Sequence, residues 1–394
     1  MRRPSPVAVI GSLVGALVSA LTLSVTGPAP AARANPLDDL VSLVPHLVGT
    51  LLGGKQPVGE QATPVFPAYR QNPRNPLAGR TMGVYMGRGE MAWEPFATAS
   101  RDRRELLGRI ALRPKARWFG AWIADEDIGD VVRGYIENSQ EGDPEVLVQM
   151  TVFRMDPWYT DACHTLPTRA QQRSYRIWIR RFAAAVGRTP AAIVLQPDLP
   201  FVLCFPDGGR IASRQVRYAA RVLSALPRTA VYLDVGAADW PKDDPRSAAS
   251  MLVRAGVSYA RGFALNATHY VPTSWDVRHG TKVVAELARR GLPGKRFVVN
   301  TSSNGRGFEF GLARGAHPDH ANVCRTRTER HCVTLGIPPT TAVAAKRWGL
   351  PRDVRRKARR HVDAYLWFGR PWLVMQAAPF DLPRALDLAR TTPW

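Results

Sequence analysis

Three aspartates stand at or just beyond the ends of apolar, strand-length runs: Asp161 after Val146–Phe153, Asp198 after Ala192–Leu195, and Asp234 within Val231–Trp240. Prolines at 197 and 200 end the middle run, which places Asp198 just past a strand's carboxyl end. If the strands are parallel, all three carboxyls lie on one face, where α/β folds gather their chemistry. Glycosidic bond cleavage needs one carboxyl kept protonated near neutral pH and a second group to activate water, a task that clustered aspartates suit. Aspartates at strand ends also serve as helix caps, so position alone assigns no role.

Tryptophans accompany these acids. Trp240 follows Asp234 by six residues, Trp118 and Trp122 mark the first apolar run, and Trp367 ends the last. Indole faces stack on the C–H faces of sugar rings, and the alternative is core packing, which suits Trp178 and competes at Trp118.

The elements that must position these residues alternate. Strand-like runs at Arg117–Ala121, Val146–Phe153, Ala192–Leu195, Ala230–Val235, Gly262–Leu265, Phe297–Val299 and Val362–Phe368 are separated in several places by helix-length segments. Within 169–187, Tyr175, Trp178, Ile179 and Phe182 recur at helical spacing and form a stripe able to cover a sheet. The alternation predicts an α/β fold with a parallel sheet and outer helices, either closed as a barrel or open. The basic run Arg352–His361 reads as a solvated helix face.

The chain has 394 residues. Residues 1–34 are expected to be a signal peptide, with Arg2 and Arg3, an apolar stretch and Ala32-Arg33-Ala34 before the cleavage point; an uncleaved anchor is the alternative. Residues 35–73 read as an N-terminal Pro-rich prefix and 74–394 as one barrel domain. A secreted or cell-envelope-associated chain with four cysteines favours two disulfides. Three pairings are open; Cys163 with Cys204 and Cys324 with Cys332 is the most economical.

The formal net charge is +22, or +19 without Arg2, Arg3 and Arg33, which favours an anionic envelope surface. No zinc-finger, helix-turn-helix or aromatic RNA-binding pattern is present, so no nucleic-acid partner is expected. No Gly-rich phosphate loop, Gly-x-Ser-x-Gly elbow or His pair at i and i+4 occurs in the expected domain, and neither cofactor nor metal is expected.

The segments NPLAG (75–79), RWFGAWI (117–123), PDLP (197–200), VYLDVGAADW (231–240), GFALNATHY (262–270), FVVNTSSNGRG (297–307) and HVDAYLWF (361–368) appear in this order. Together they resemble glycoside hydrolase family 6, the inverting β-1,4-glucan hydrolases. The resemblance implies a distorted seven-stranded TIM-like barrel and a polysaccharide substrate. It implies Asp198 as proton donor and Asp161 as the residue that holds that proton and steers water. It places Asp234, Trp240 and Asn266 beside the sugar; Asn300 and Trp367, at the ends of the sixth and last strands, complete the expected substrate-binding set. It also implies a Cys163–Cys204 disulfide.

Several positions depart from the family pattern. Asp161 is separated from Cys163 by one residue, Asn300 and Ser303 stand where Asp and Arg are usual, and Ala237 replaces a histidine. The usual acid-bearing loop after the last strand is shortened, with no acid between Asp363 and Asp381. The shortened loop also implies an open, endo-acting groove. Two functions remain open: a secreted, inverting endo-glycosidase acting as a monomer on a β-glucan, or a catalytically weak or inactive relative that binds polysaccharide at the envelope.

Overall fold

A computed structural model describes residues 72–155, 161, 163–241 and 243–394. The expected leader and nearly all of the expected prefix lie outside the described residues.

Seven parallel strands form one sheet in sequential order: β1 (Arg117–Gly120), β2 (Val148–Phe153), β3 (Ala191–Leu195), β4 (Thr229–Asp234), β5 (Gly262–Leu265), β6 (Arg296–Asn300) and β7 (Val362–Leu366). The sheet curls so that its edges meet without a full ladder. Ala116 N donates to Trp367 O at 2.8 Å, and Trp118 Nε1 donates to Phe368 O at 2.6 Å. This is the expected distorted barrel.

The strands are almost wholly buried because both faces are covered, which explains their continuous apolar runs. Small and medium side chains such as Ala192, Val194, Ala230, Ala264 and Ala364 fill the inner face. Outside, the helix Arg169–Val186 starts at a Thr168/Gln171 capping box and buries Tyr175, Trp178, Ile179 and Phe182 against the sheet. Trp178 stacks on Phe182 and donates Nε1 to Ile123 O at 3.0 Å, as its core assignment requires. The helix Arg352–His361 buries only Val354 and Ala358, leaving most of its basic side chains towards solvent.

At the amino end of the barrel, Asp363 is fully buried. It accepts from Tyr232 Oη at 2.8 Å and from Arg261 at 2.8 and 3.1 Å. This acid ties strands together at the end opposite the strand carboxyl termini.

The segment 301–351 crosses the carboxyl end of the barrel with only short 3-10 turns, at Phe310–Leu312, Pro318–His320 and Lys346–Trp348. After β7, a small hairpin, β8 (Leu373–Val374) with β9 (Ala377–Phe380), precedes the last helix, Leu382–Thr391. Both cysteine pairs are disulfides: Cys163–Cys204, spanning 41 residues, and Cys324–Cys332, spanning 8.

Candidate active site

The chain turns sharply after β3. Gln196 and Asp198 have positive φ values of 54° and 63°, and Asp198 leads into a 3-10 turn at Leu199–Leu203. Such backbone is costly for residues other than glycine and persists where the surroundings hold it. Here the holder is Asp234 at the end of β4. Its Oδ2 accepts from Asp198 N at 2.9 Å and from Gly236 N at 3.1 Å. Gly236 has φ 85°, and a Cβ there would meet Trp240 O at 2.1 Å, so the turn that follows Asp234 requires glycine.

The Asp198 carboxyl is half-buried on the wall of a cleft of about 940 Å³ at the carboxyl end of the sheet. Thr268, just beyond β5, donates Oγ1 to Asp198 Oδ1 at 2.7 Å. Burial raises the Asp198 pKa to about 6; the Thr268 hydrogen bond and the His269 ring oppose that rise, and the charge of Asp319 adds to it. A carboxyl tuned this way is a proton donor in mildly acidic water.

Asp161 lines the same cleft at its rim. Its Oδ2 accepts from Thr165 Oγ1, and its Oδ1 lies 2.7 Å from His164 Nδ1. The Thr165 hydrogen bond, then that of His164, pulls its pKa below the ordinary carboxylate value. The cleft therefore holds a carboxyl favouring its proton and a carboxylate favouring its charge. The Cys163–Cys204 disulfide links the segment carrying Asp161 to the end of the turn that begins at Asp198.

Trp240 also lines the cleft. Its ring is parallel to His269 within 5°, with centroids 5.2 Å apart, and His269 stacks in turn on Phe310 at 4.2 Å. Asp239 fixes this stack, with Oδ1 2.8 Å from His269 Nδ1 and Oδ2 accepting from Phe310 N at 2.7 Å. Trp118 and Trp122 line the same cleft, and Trp122 is 53% exposed.

Four residues expected to touch sugar lie elsewhere. Asp234 is fully buried behind Asp198; burial and the neighbouring Asp198 charge push its pKa far above the carboxylate range against the backbone donors, and it reaches Asp198's backbone, not the cleft. Asn266 and Asn300 are fully buried and clasp each other's strand ends: Asn266 Nδ2 donates to Asn300 O at 3.2 Å, and Asn300 Nδ2 to Asn266 O at 2.9 Å. Asn300 Oδ1 also accepts from Phe368 N and Gly369 N, each at 3.0 Å, which joins β6 to the exit of β7. Trp367 is 2% exposed, donates Nε1 to Ile337 O at 2.9 Å, and lines a separate cavity of about 490 Å³.

Sequence reasoning missed Thr268 and Asp319 as parts of the cleft, and named no residue of the loop after β7 that lines it. Thr268 had a signal, since it follows the β5 run as Asp198 follows the β3 run. Asp319 comes from the irregular 301–351 segment, where no periodicity reports direction. The loop after β7 brings Arg370, Met375, Gln376 and Ala377 to the wall, and no carboxylate. Among the described residues, no group of three or more His, Cys, Asp or Glu side chains is arranged to hold a metal ion.

A parallel barrel with a cleft at its strand carboxyl ends, lined by two differently tuned carboxyls and by Trp118, Trp122 and Trp240, has the organisation of a glycoside hydrolase. The family model described as glycosyl hydrolases family 6 matches residues 85–349, and the chain belongs to that family. It is 34% identical to Endoglucanase 1 of Streptomyces halstedii over 207 residues, 50% of this chain and 61% of that protein. It is 29% identical to Endoglucanase A of Cellulomonas fimi over 230 residues, 58% of this chain and 48% of that protein. The chain thus spans about half to three-fifths of these relatives' length.

Among solved structures, the endoglucanase Cel6 from Mycobacterium tuberculosis, in complex with methyl-cellobiosyl-4-deoxy-4-thio-β-D-cellobioside, matches with a TM-score of 0.64 at 27% identity. That match covers 80% of this chain and 99% of that one. The catalytic core of a cellobiohydrolase from Chaetomium thermophilum shares the fold, with a TM-score of 0.60 at 17% identity, covering 82% of this chain and 100% of that one.

Proposed function

We propose that this protein is a secreted, inverting endo-hydrolase of β-1,4-linked glucan, with Asp198 as general acid. The observation that carries the reading is the Asp198 carboxyl, fixed by Asp234 and Thr268 on the cleft wall with its pKa raised to about 6. The substrate class rests on the endoglucanase relatives and on the thio-oligosaccharide bound by the Mycobacterium tuberculosis enzyme.

In the proposed reaction a glucan chain lies along the cleft with sugar faces against Trp240 and Trp122. Asp198 gives its proton to the glycosidic oxygen as the bond from that oxygen to the anomeric carbon breaks. A water attacks the anomeric carbon from the opposite face and passes its proton through solvent to the Asp161 carboxylate, inverting the configuration. Asp234 acts through Asp198 and is a positioning residue. The short loop after β7 supports cleavage within chains, because it lacks the length to roof the cleft. The expected signal peptide at 1–34, ahead of the prefix and the barrel domain, together with the two disulfides, supports secretion.

The second reading, a catalytically weak polysaccharide binder, is favoured by one feature: the loop between Asp363 and Asp381 brings no carboxylate to the cleft. Incubating the purified chain with soluble β-1,4-glucan separates the two. Hydrolysis should lower viscosity early and release first the α-anomer of the new reducing end. Binding without new reducing ends would establish the binder instead, and a β-anomer first would overturn inversion.

A further inference from the structure

Beside the cleft lies an annex of about 310 Å³, lined by Glu90, Arg117, Trp118, Trp122 and Arg370 among others, and sharing Trp118, Trp122 and Arg370 with the cleft. The Arg370 guanidinium borders it, and Arg117 is among its lining residues. Arg370 lies over the Trp118 ring at 4.2 Å from the ring centroid, and its buried Nε has no hydrogen-bond partner. Arg117 packs among the rings of Tyr85, Phe119 and Tyr135 at 5.2–5.9 Å. Gly89 makes room for it, since a Cβ there would meet the Arg117 guanidinium carbon at 2.6 Å.

Among the described residues, neither guanidinium donates a hydrogen bond to a side chain or carbonyl. Glu90 is the one carboxylate lining the annex, and it is already engaged: Oε1 accepts from Ala92 N at 3.1 Å, and Oε2 lies 3.9 Å from Lys115 Nζ. Burial lowers the Arg370 pKa to about 10, with Glu90 opposing, which leaves the group charged at neutral pH.

Guanidinium groups drawn partly out of water with unused donors are costly unless an acceptor completes them. The planar donor fork of arginine matches the oxygens of a carboxylate or phosphate. A neutral sugar hydroxyl can accept from the fork, but only an anion also answers its charge. The three aspartates of the cleft, Asp161, Asp198 and Asp319, do not line the annex, so an anion there avoids them. The chain's net charge of +22 also draws acidic polymers towards it.

We propose that the cleft takes an acidic glycan, with an anionic substituent of one sugar unit held in the annex by Arg370 while the sugar ring lies against Trp118 and Trp122. This rests on the glucan-cleft reading above and specifies its substrate class. The shared chemistry is a monoanionic or dianionic oxygen group on a sugar, either a uronate carboxylate or a phosphate ester.

The test compares three probes by calorimetry on the full mature chain: cellohexaose, the same oligosaccharide with one glucuronate unit, and the same with one 6-phosphate. The expected result is that one or both acidic probes bind about tenfold or more tighter than the neutral one, as charge-assisted pairing allows. The acidic-to-neutral ratio should fall towards one in Arg370→Gln. Arg370→Lys, which keeps the charge but loses the planar fork, should also lower it, and this second variant serves if Arg370→Gln fails to fold. The probe preferred identifies carboxylate or phosphate. Equal affinities in the wild type, an unchanged ratio in a folded variant, or no binding of any probe would overturn the proposal. Hydrolysis is followed in parallel: acidic preference without turnover removes the hydrolase reading and leaves the annex, whereas turnover without preference does the reverse.

Discussion

The backbone N–H of Asp198 donates to Oδ2 of the buried Asp234 at 2.9 Å, so the acid on the cleft wall is held in a left-handed conformation by an acid that never reaches the cleft. Asp234→Ala should remove the acceptor for the Asp198 and Gly236 amides together. Leaving these two backbone amides without an acceptor is expected to cost about 2–4 kcal/mol of stability. Turnover should fall by on the order of 100-fold because Asp198 loses its position, while the affinity for cello-oligosaccharide changes little. Denaturant melts with parallel kinetics on the purified variant check this; a folded Asp234→Ala with wild-type turnover would remove the positioning role.

The raised pKa of Asp198 sets a pH dependence. Its proton must be present for general acid catalysis, so kcat/KM should fall as pH rises through about 6, by about tenfold per unit beyond it. Stability follows the same sign. The folded value lies above the ordinary 3.8, so the contribution of the protonated group is full below 3.8 and is lost as pH rises through about 6. Asp198→Asn should therefore melt higher than the wild type at pH 8, by at most about 3 kcal/mol, and match it near pH 3.5. Melting curves at the two pH values measure this; equal melting at both would show that burial does not tune the group.

Two tryptophans should respond in opposite ways. Trp122 is half exposed on the cleft, and Trp122→Ala should weaken glucan oligosaccharide binding by about 1–3 kcal/mol with little loss of stability. Trp367 is buried, and Trp367→Phe should lower stability, by about 1–3 kcal/mol, without changing that affinity. Calorimetric titration and thermal melts on both variants distinguish the assignments.

The barrel was legible because every strand is buried on both faces, so seven apolar runs separated by helices or loops already describe it. The site was legible where a side chain had no choice of direction. Asp198 follows a proline-terminated strand, and its turn leaves it at the strand end. Trp367 shows the opposite case: successive strand residues point to opposite faces, and sequence did not decide whether Leu366 or Trp367 faced inward. Asn266 and Asn300 sit at strand ends as a ligand would, yet their Nδ2 groups donate to each other's backbone carbonyls. Asp319 and Arg370 were beyond reach because irregular loops carry no period from which direction can be read.

The most direct measurement is the turnover of a β-1,4-glucan oligosaccharide with a poor leaving group by the wild type and by Asp198→Asn at pH 5.5, with the affinity of each measured separately. Acid catalysis by Asp198 requires the variant to bind as the wild type does and to turn over slower by on the order of 100-fold or more. Equal turnover by the two proteins would contradict it.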